Sequence, residues 1–73
     1  MDIERDYARL LKVLASNIKQ VRTRLELTQE EMADRGFNYR FYQKLESGTY
    51  SPNLFTLHRL AKAFKVKITE FLK

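Results

Sequence analysis

The sequence predicts an all-α fold, on three observations. Apolar residues recur at spacings of three and four along most of the chain, only two glycines and one proline interrupt it, and no alternating β-branched run is long enough for a strand. With 73 residues, 44% hydrophobic and 32% charged, the chain has the size of one small domain near the lower limit for a single core. It contains no cysteine, so packing must supply the stability that disulfides or a Cys-based zinc site would otherwise add.

The first series, Ile3, Tyr7, Leu10, Leu11, Leu14, Ile18, Val21 and Leu25, marks one face of a long helix. Ser16-Asn17 is its weakest point, because both residues can cap a fresh helix start. One continuous rod is the expectation, with a joint at that pair as the alternative. Thr28 and Glu31 then form a capping box, with Leu27 and Met32 as a hydrophobic staple. This opens a second helix from Gln29 to about Arg35, closed by Gly36. Asn38 is the N-cap of a third helix, Tyr39 to about Ser47, with Phe37, Tyr42 and Leu45 inward and Gly48 at its end. Pro52-Asn53 starts a fourth, carrying Leu54, Leu57, Leu60, Ala61 and Phe64, and Ile68 to Leu72 reads as a short fifth.

Charge is distributed unevenly. Fourteen Lys and Arg against nine Asp and Glu give a formal charge of +5, with acid gathered at the N-terminus. From Arg35 to Lys67, the seven basic residues Arg35, Arg40, Lys44, Arg59, Lys62, Lys65 and Lys67 face the single acid Glu46, a net +6 that favours a polyanionic partner. Two short helices across a glycine turn form a helix-turn-helix, whose second helix fits the ~12 Å major groove of DNA. With Phe37, Tyr42 and Leu45 bracing it from behind, Tyr39, Arg40, Phe41, Gln43 and Lys44 are expected to face outward. Arg40 can fork onto guanine O6 and N7, whereas Lys44 is a point charge toward base or phosphate.

Three separate stretches, Leu27-Thr28-Gln29-Glu30-Glu31-Met32-Ala33, Leu45-Glu46-Ser47-Gly48, and Pro52 with Leu57-His58-Arg59-Leu60-Ala61-Lys62-Ala63-Phe64, resemble the Cro/repressor-type helix-turn-helix family. The likeness covers about residues 15 to 72, leaving 1–14 as a helical N-terminal extension of a single domain, 1–73. It implies a compact five-helix, lambda-repressor-like DNA-binding fold with an extended first helix. Carried over by position, it implies that Gln29 touches the DNA backbone and supports the reading helix. It likewise implies base-facing roles for Tyr39, Arg40, Phe41 and Lys44, and phosphate contacts from Thr49 and Tyr50. Arg22 and Glu46 match a structural ion pair, and an Arg on the inner side of helix one can independently fork onto that carboxylate.

Two departures qualify the likeness. The turn is one residue shorter than the family's, which bears on where helix two ends and on the angle of helix three. Tyr39 and Phe41 are aromatic where small polar or amide side chains are usual, so contact with a thymine methyl, a protein surface and burial in the core are all open for them.

The expected function is a sequence-specific duplex-DNA transcriptional regulator, a repressor that occludes a promoter. The rival is a protein-interaction module of antitoxin or adaptor type using Tyr39, Phe41 and Tyr50. A third reading is nonspecific nucleic-acid binding through the basic half. Leu10, Leu11 and Leu14 lie upstream of the family-like core. Phe71 and Leu72 packing on them is one expectation, and a homodimer through the N-terminal rod, placing two reading helices about 34 Å apart, is the other. His58 is the single histidine and lacks a metal-sharing partner. Glu30 and Glu31 diverge around their helix and support its dipole rather than forming a catalytic pair. No enzyme chemistry, cofactor, small-molecule ligand or membrane span is expected. The start Met1-Asp2-Ile3-Glu4 is unlike a signal peptide, so the cytoplasm is the expected location.

Overall fold

The computed structural model describes residues 2–73, which form five helical segments and no strand. Helix α1 spans Ile3–Arg24, and a 3-10 helix follows at Glu30–Arg35. Helix α2 spans Tyr39–Leu45, α3 spans Leu54–Phe64, and a second 3-10 turn covers Ile68–Phe71.

Helix α1 is one rod. Asp2 caps it by accepting from the Arg5 backbone N–H at 3.1 Å, and its 22 residues run about 33 Å. Asn17 does not cap a new start. Its side-chain amide instead donates to the backbone oxygens of Phe71 at 3.0 Å and Lys73 at 3.2 Å, holding the C-terminal segment on the middle of the rod. Only the C-terminal half of α1 enters the core, through Leu14, Ala15, Ile18 and Val21, with Arg22 buried beside them. Of these, Leu14, Ile18 and Val21 meet Met32, Phe37, Tyr42, Leu45, Leu57, Leu60, Phe64 and Phe71 in one apolar cluster.

Three expected helix boundaries shift. The second helix winds as a 3-10 helix, with Met32 N–H donating to Gln29 O at 3.1 Å and Gly36 N–H to Ala33 O at 3.2 Å. Its 3-10 form rises about 2.0 Å per residue against about 1.5 Å for an α-helix, so a segment one residue short reaches across a similar gap. The third helix stops at Leu45 rather than Ser47, because the Ser47 hydroxyl turns back onto Lys44 O at 2.7 Å and Gly48 adopts φ 83°. The fifth is also a 3-10 turn and ends at Phe71.

The local caps form as the residues dictate. Thr28 and Glu31 close their box reciprocally, at 3.2 Å from Glu31 N–H to Thr28 Oγ1 and 2.9 Å from Thr28 N–H to Glu31 Oε1. These bonds, the one from the Thr28 backbone first, hold the Glu31 carboxyl below the usual range. Asn38 accepts from Phe41 N–H at 3.1 Å and Asn53 from Thr56 N–H at 2.8 Å. Helices α1 and α3 both end in Schellman closures whose left-handed residue is not glycine: Glu26 at φ 59° and Lys65 at φ 58°.

Candidate nucleic-acid interface

Helix α2 is short, so its orientation depends on what holds its two ends. At the C-terminal end, Glu46 accepts from Arg22 Nε at 2.6 Å and from Arg22 Nη2 at 3.0 Å. It also accepts from Gln29 Nε2 at 3.0 Å and from the Tyr42 hydroxyl. Arg22 spends its remaining fork on Leu27 O at 2.7 Å. One carboxylate thus ties α1, the entry to the 3-10 helix and α2 together. Burial pushes the Glu46 carboxyl up, but the hydrogen bonds from Arg22, Tyr42 and Gln29 outweigh it and hold it below the usual range. Its bond to Glu46, above all, raises Arg22 further. Tyr42 is pushed well above a free phenol, first by burial and then by its bond to Glu46.

At the other end, Gly36 adopts φ 92° and passes the chain from the 3-10 helix into Phe37. Arg59 on α3 braces this turn: its guanidinium donates to Gly36 O at 2.9 Å and lies 4.7 Å from the centroid of the Phe37 ring. Arg35 donates to Ala63 O at 2.8 Å. Both basic side chains, counted by charge as cations for a polyanion, are engaged with the scaffold. Sequence periodicity carried no sign of this, since both partners are backbone carbonyls distant in the chain.

Held in this way, α2 presents Tyr39, Arg40, Gln43, Lys44 and Ser47 along one shallow, solvent-open concavity. Gln43 donates to the Tyr39 hydroxyl at 3.1 Å, joining two of the five. Arg40 and Lys44 form no ion pair among the described residues, so both cations are available to a ligand. Gln43 and Ser47 complete the face. Spacing puts Gln43 outward without marking it as a contact residue, and Ser47 joins because the helix ends before it.

The other expected site residues take different positions. Phe41, expected to face outward, is half-buried and packs edge-to-face on Tyr50, with ring centroids 5.7 Å apart. The reason is its place on the helix: Phe41 lies four residues before the buried Leu45, on the same face of α2, beside the loop that carries Tyr50. The outward aromatic surface of Tyr39, Phe41 and Tyr50 is thereby divided, and Tyr39 alone stays on the α2 face. Thr49 is exposed beside the helix end, with its backbone N–H on Ser47 Oγ at 3.2 Å. Gln29 is half-buried, its amide turned inward to Glu46. His58 is exposed on α3, and among the described residues no group of His, Cys, Asp and Glu could hold a metal ion. No described helix is long and apolar enough to cross a membrane.

A short helix, a glycine turn and a braced second helix with an open polar and cationic face define a helix-turn-helix protein. The helix-turn-helix family HTH_3 matches residues 18–71, and the chain belongs to this Cro/repressor-type family of DNA-binding transcriptional regulators. It is 37% identical over 62 residues to an uncharacterised helix-turn-helix transcriptional regulator of Sinorhizobium fredii, covering 84% of this chain and 80% of that one. A similar regulator from Methanothermobacter thermautotrophicus is 47% identical over 47 residues, 63% of this chain and 68% of that protein. The cryptic phage CTXphi transcriptional repressor RstR of Vibrio cholerae is 38% identical over 61 residues, 82% of this chain and 55% of that repressor. No solved structure matches the chain.

Proposed function

We propose that this protein regulates transcription by docking α2 in the major groove of a specific duplex sequence, and that it represses by occupying a promoter. The observation that carries the reading is the outward α2 face: Tyr39, Arg40, Gln43, Lys44 and Ser47 open to solvent, on a helix fixed at both ends by buried or braced contacts. Arg40 is the principal base reader, with Gln43 able to pair with an adenine edge and Lys44 serving base or phosphate. Gln29, Thr49 and Tyr50 flank this face as backbone contacts, Tyr50 carried on the half-buried Phe41. The similarity to a phage protein named a transcriptional repressor supports the repressive direction.

The active species is a homodimer. Leu14 and Phe71 are buried and Leu11 is half-buried within the monomer, so part of the apolar stripe on α1 is claimed internally. What stays open is Ile3 at 76% exposure, Leu10 at 51% and Val13 at 45%, with Leu72 at 55%. A second copy laid on this stretch covers these side chains and closes with two-fold symmetry.

The test is selection from a pool of randomised duplexes at near-physiological salt, followed by sequencing of the bound fraction. An enriched two-fold symmetric motif is the expected result. A bound fraction with no enrichment overturns sequence-specific reading.

A further inference from the structure

From Tyr7 to Leu25, helix α1 carries Arg9, Lys12, Lys19, Arg22 and Arg24 and no acidic residue. Three of these cations are occupied: Arg22 by Glu46, Arg24 by Glu70 at 3.5 Å, and Arg9 by Asp6 at 3.4 Å. Lys12 and Lys19 are exposed and form no ion pair among the described residues. They are seven residues apart, so they lie on the same helix face about 10 Å from each other along the axis, with the exposed Ser16 between them.

The position of this face is fixed by contacts to the reading unit. A Cβ added at Gly48 would meet Lys12 Cγ at 3.5 Å, so Lys12 packs directly beside the residue that ends the α2 turn. Tyr7 hydrogen-bonds Ser51, which brings the loop 48–51 back along the N-terminal half of the rod. Arg22, one turn beyond Lys19, holds Glu46 at the end of α2. The rod therefore touches the C-terminal end of the reading unit at three points, Tyr7, Lys12 and Arg22, and Lys19 lies two turns from Lys12 on the same face of the rod.

We propose that Lys12 and Lys19 form a second phosphate track on α1, extending the DNA footprint beyond the helix-turn-helix unit. The inference rests on the DNA-binding reading above and assigns a role to the extension. The partner is the sugar-phosphate backbone, because two flexible ammonium groups without a planar hydrogen-bond fork act as point charges and suit phosphates rather than base edges.

The test compares wild type, Lys12→Gln/Lys19→Gln and a charge-matched control, Lys62→Gln/Lys67→Gln, whose lysines line a groove between α3 and the final 3-10 turn. Binding is measured on the selected duplex and on a scrambled one from about 50 to 200 mM salt. Each lost phosphate contact lowers the slope of log K against log salt by about 0.9, so the α1 double variant is expected to lose about 1.8 of slope. Its affinity falls alike on both duplexes, and the wild-type advantage at low salt shrinks by about tenfold across that range. The control keeps the wild-type slope. An α1 variant that keeps the wild-type slope, or that falls only on the selected duplex, overturns the phosphate track while leaving the DNA reading intact. Wild type that binds neither duplex overturns the DNA reading, and the track with it.

Discussion

Arg22 Nε lies 2.6 Å from Glu46 Oε2, an ion pair that joins the first helix to the end of the reading helix with both side chains almost out of solvent. Breaking a buried pair by removing one partner leaves the other charge uncompensated, at a cost of roughly 3–5 kcal/mol. Glu46→Ala is expected to lower the unfolding free energy by about 3 kcal/mol in urea titration. Arg22→Met/Glu46→Leu is expected to recover only part of that loss: no lone charge stays buried, but the buried Tyr42 hydroxyl loses its acceptor. A Glu46→Ala variant as stable as wild type would show that the pair does not anchor α2.

The same carboxylate sets the acid response. Its folded-state pKa lies below the unfolded value near 4.3, so the unfolded chain binds more protons through that interval. The stability it contributes is complete above about pH 5 and is lost as the pH falls through the depressed folded value. Glu46→Gln, with no proton to take up, is expected to flatten the dependence of thermal midpoint on pH in the acid range. The check is a series of melts from about pH 2 to 6.

Base reading by Arg40 makes a prediction that stability cannot mimic. Arg40→Ala is expected to cost about 1–3 kcal/mol on the selected duplex and to relax the preference at one base position. Substituting Thr49 or Tyr50 is expected to weaken all duplexes alike. Competition binding against single-base variants of the site distinguishes them, and equal loss on every sequence for Arg40→Ala would refute its role as a reader.

Helix ends that use Glu26 and Lys65 in the left-handed region carry a backbone cost that glycine avoids. Glu26→Gly and Lys65→Gly are each expected to stabilise the fold by about 0.5–1 kcal/mol, a rise of several degrees in Tm for a domain of this size. Calorimetry that finds either variant less stable would mean that a side-chain contact there outweighs the backbone strain.

The homodimer predicts a concentration-dependent mass that depends on the open stripe of α1. Leu10→Glu changes a residue 51% exposed in the monomer, so folding is expected to persist while dimerisation is lost. Sedimentation velocity from low to high micromolar concentration reads the change directly. A wild-type protein that stays monomeric throughout would remove the dimer.

Helix faces and helix starts were legible in the residues alone. Apolar spacing marked α1 and α3, and Thr28 with Glu31, Asn38, and Asn53 marked three helix starts, because a cap is closed by atoms within three residues. The outward direction of Arg40, Gln43 and Lys44 follows from the same periodicity, with Tyr42 and Leu45 inward. Tertiary structure alone decided what depends on reach and angle. It wound Glu30–Arg35 as a 3-10 helix to span a short connection, rotated Phe41 onto Tyr50, and drew Arg59 to the Gly36 turn. It also left half of α1 outside the core, because five helical segments enclose one small cluster that only Leu14, Ile18 and Val21 of the rod can reach. Such contacts join residues 9 to 28 positions apart in sequence, where helical periodicity carries no information.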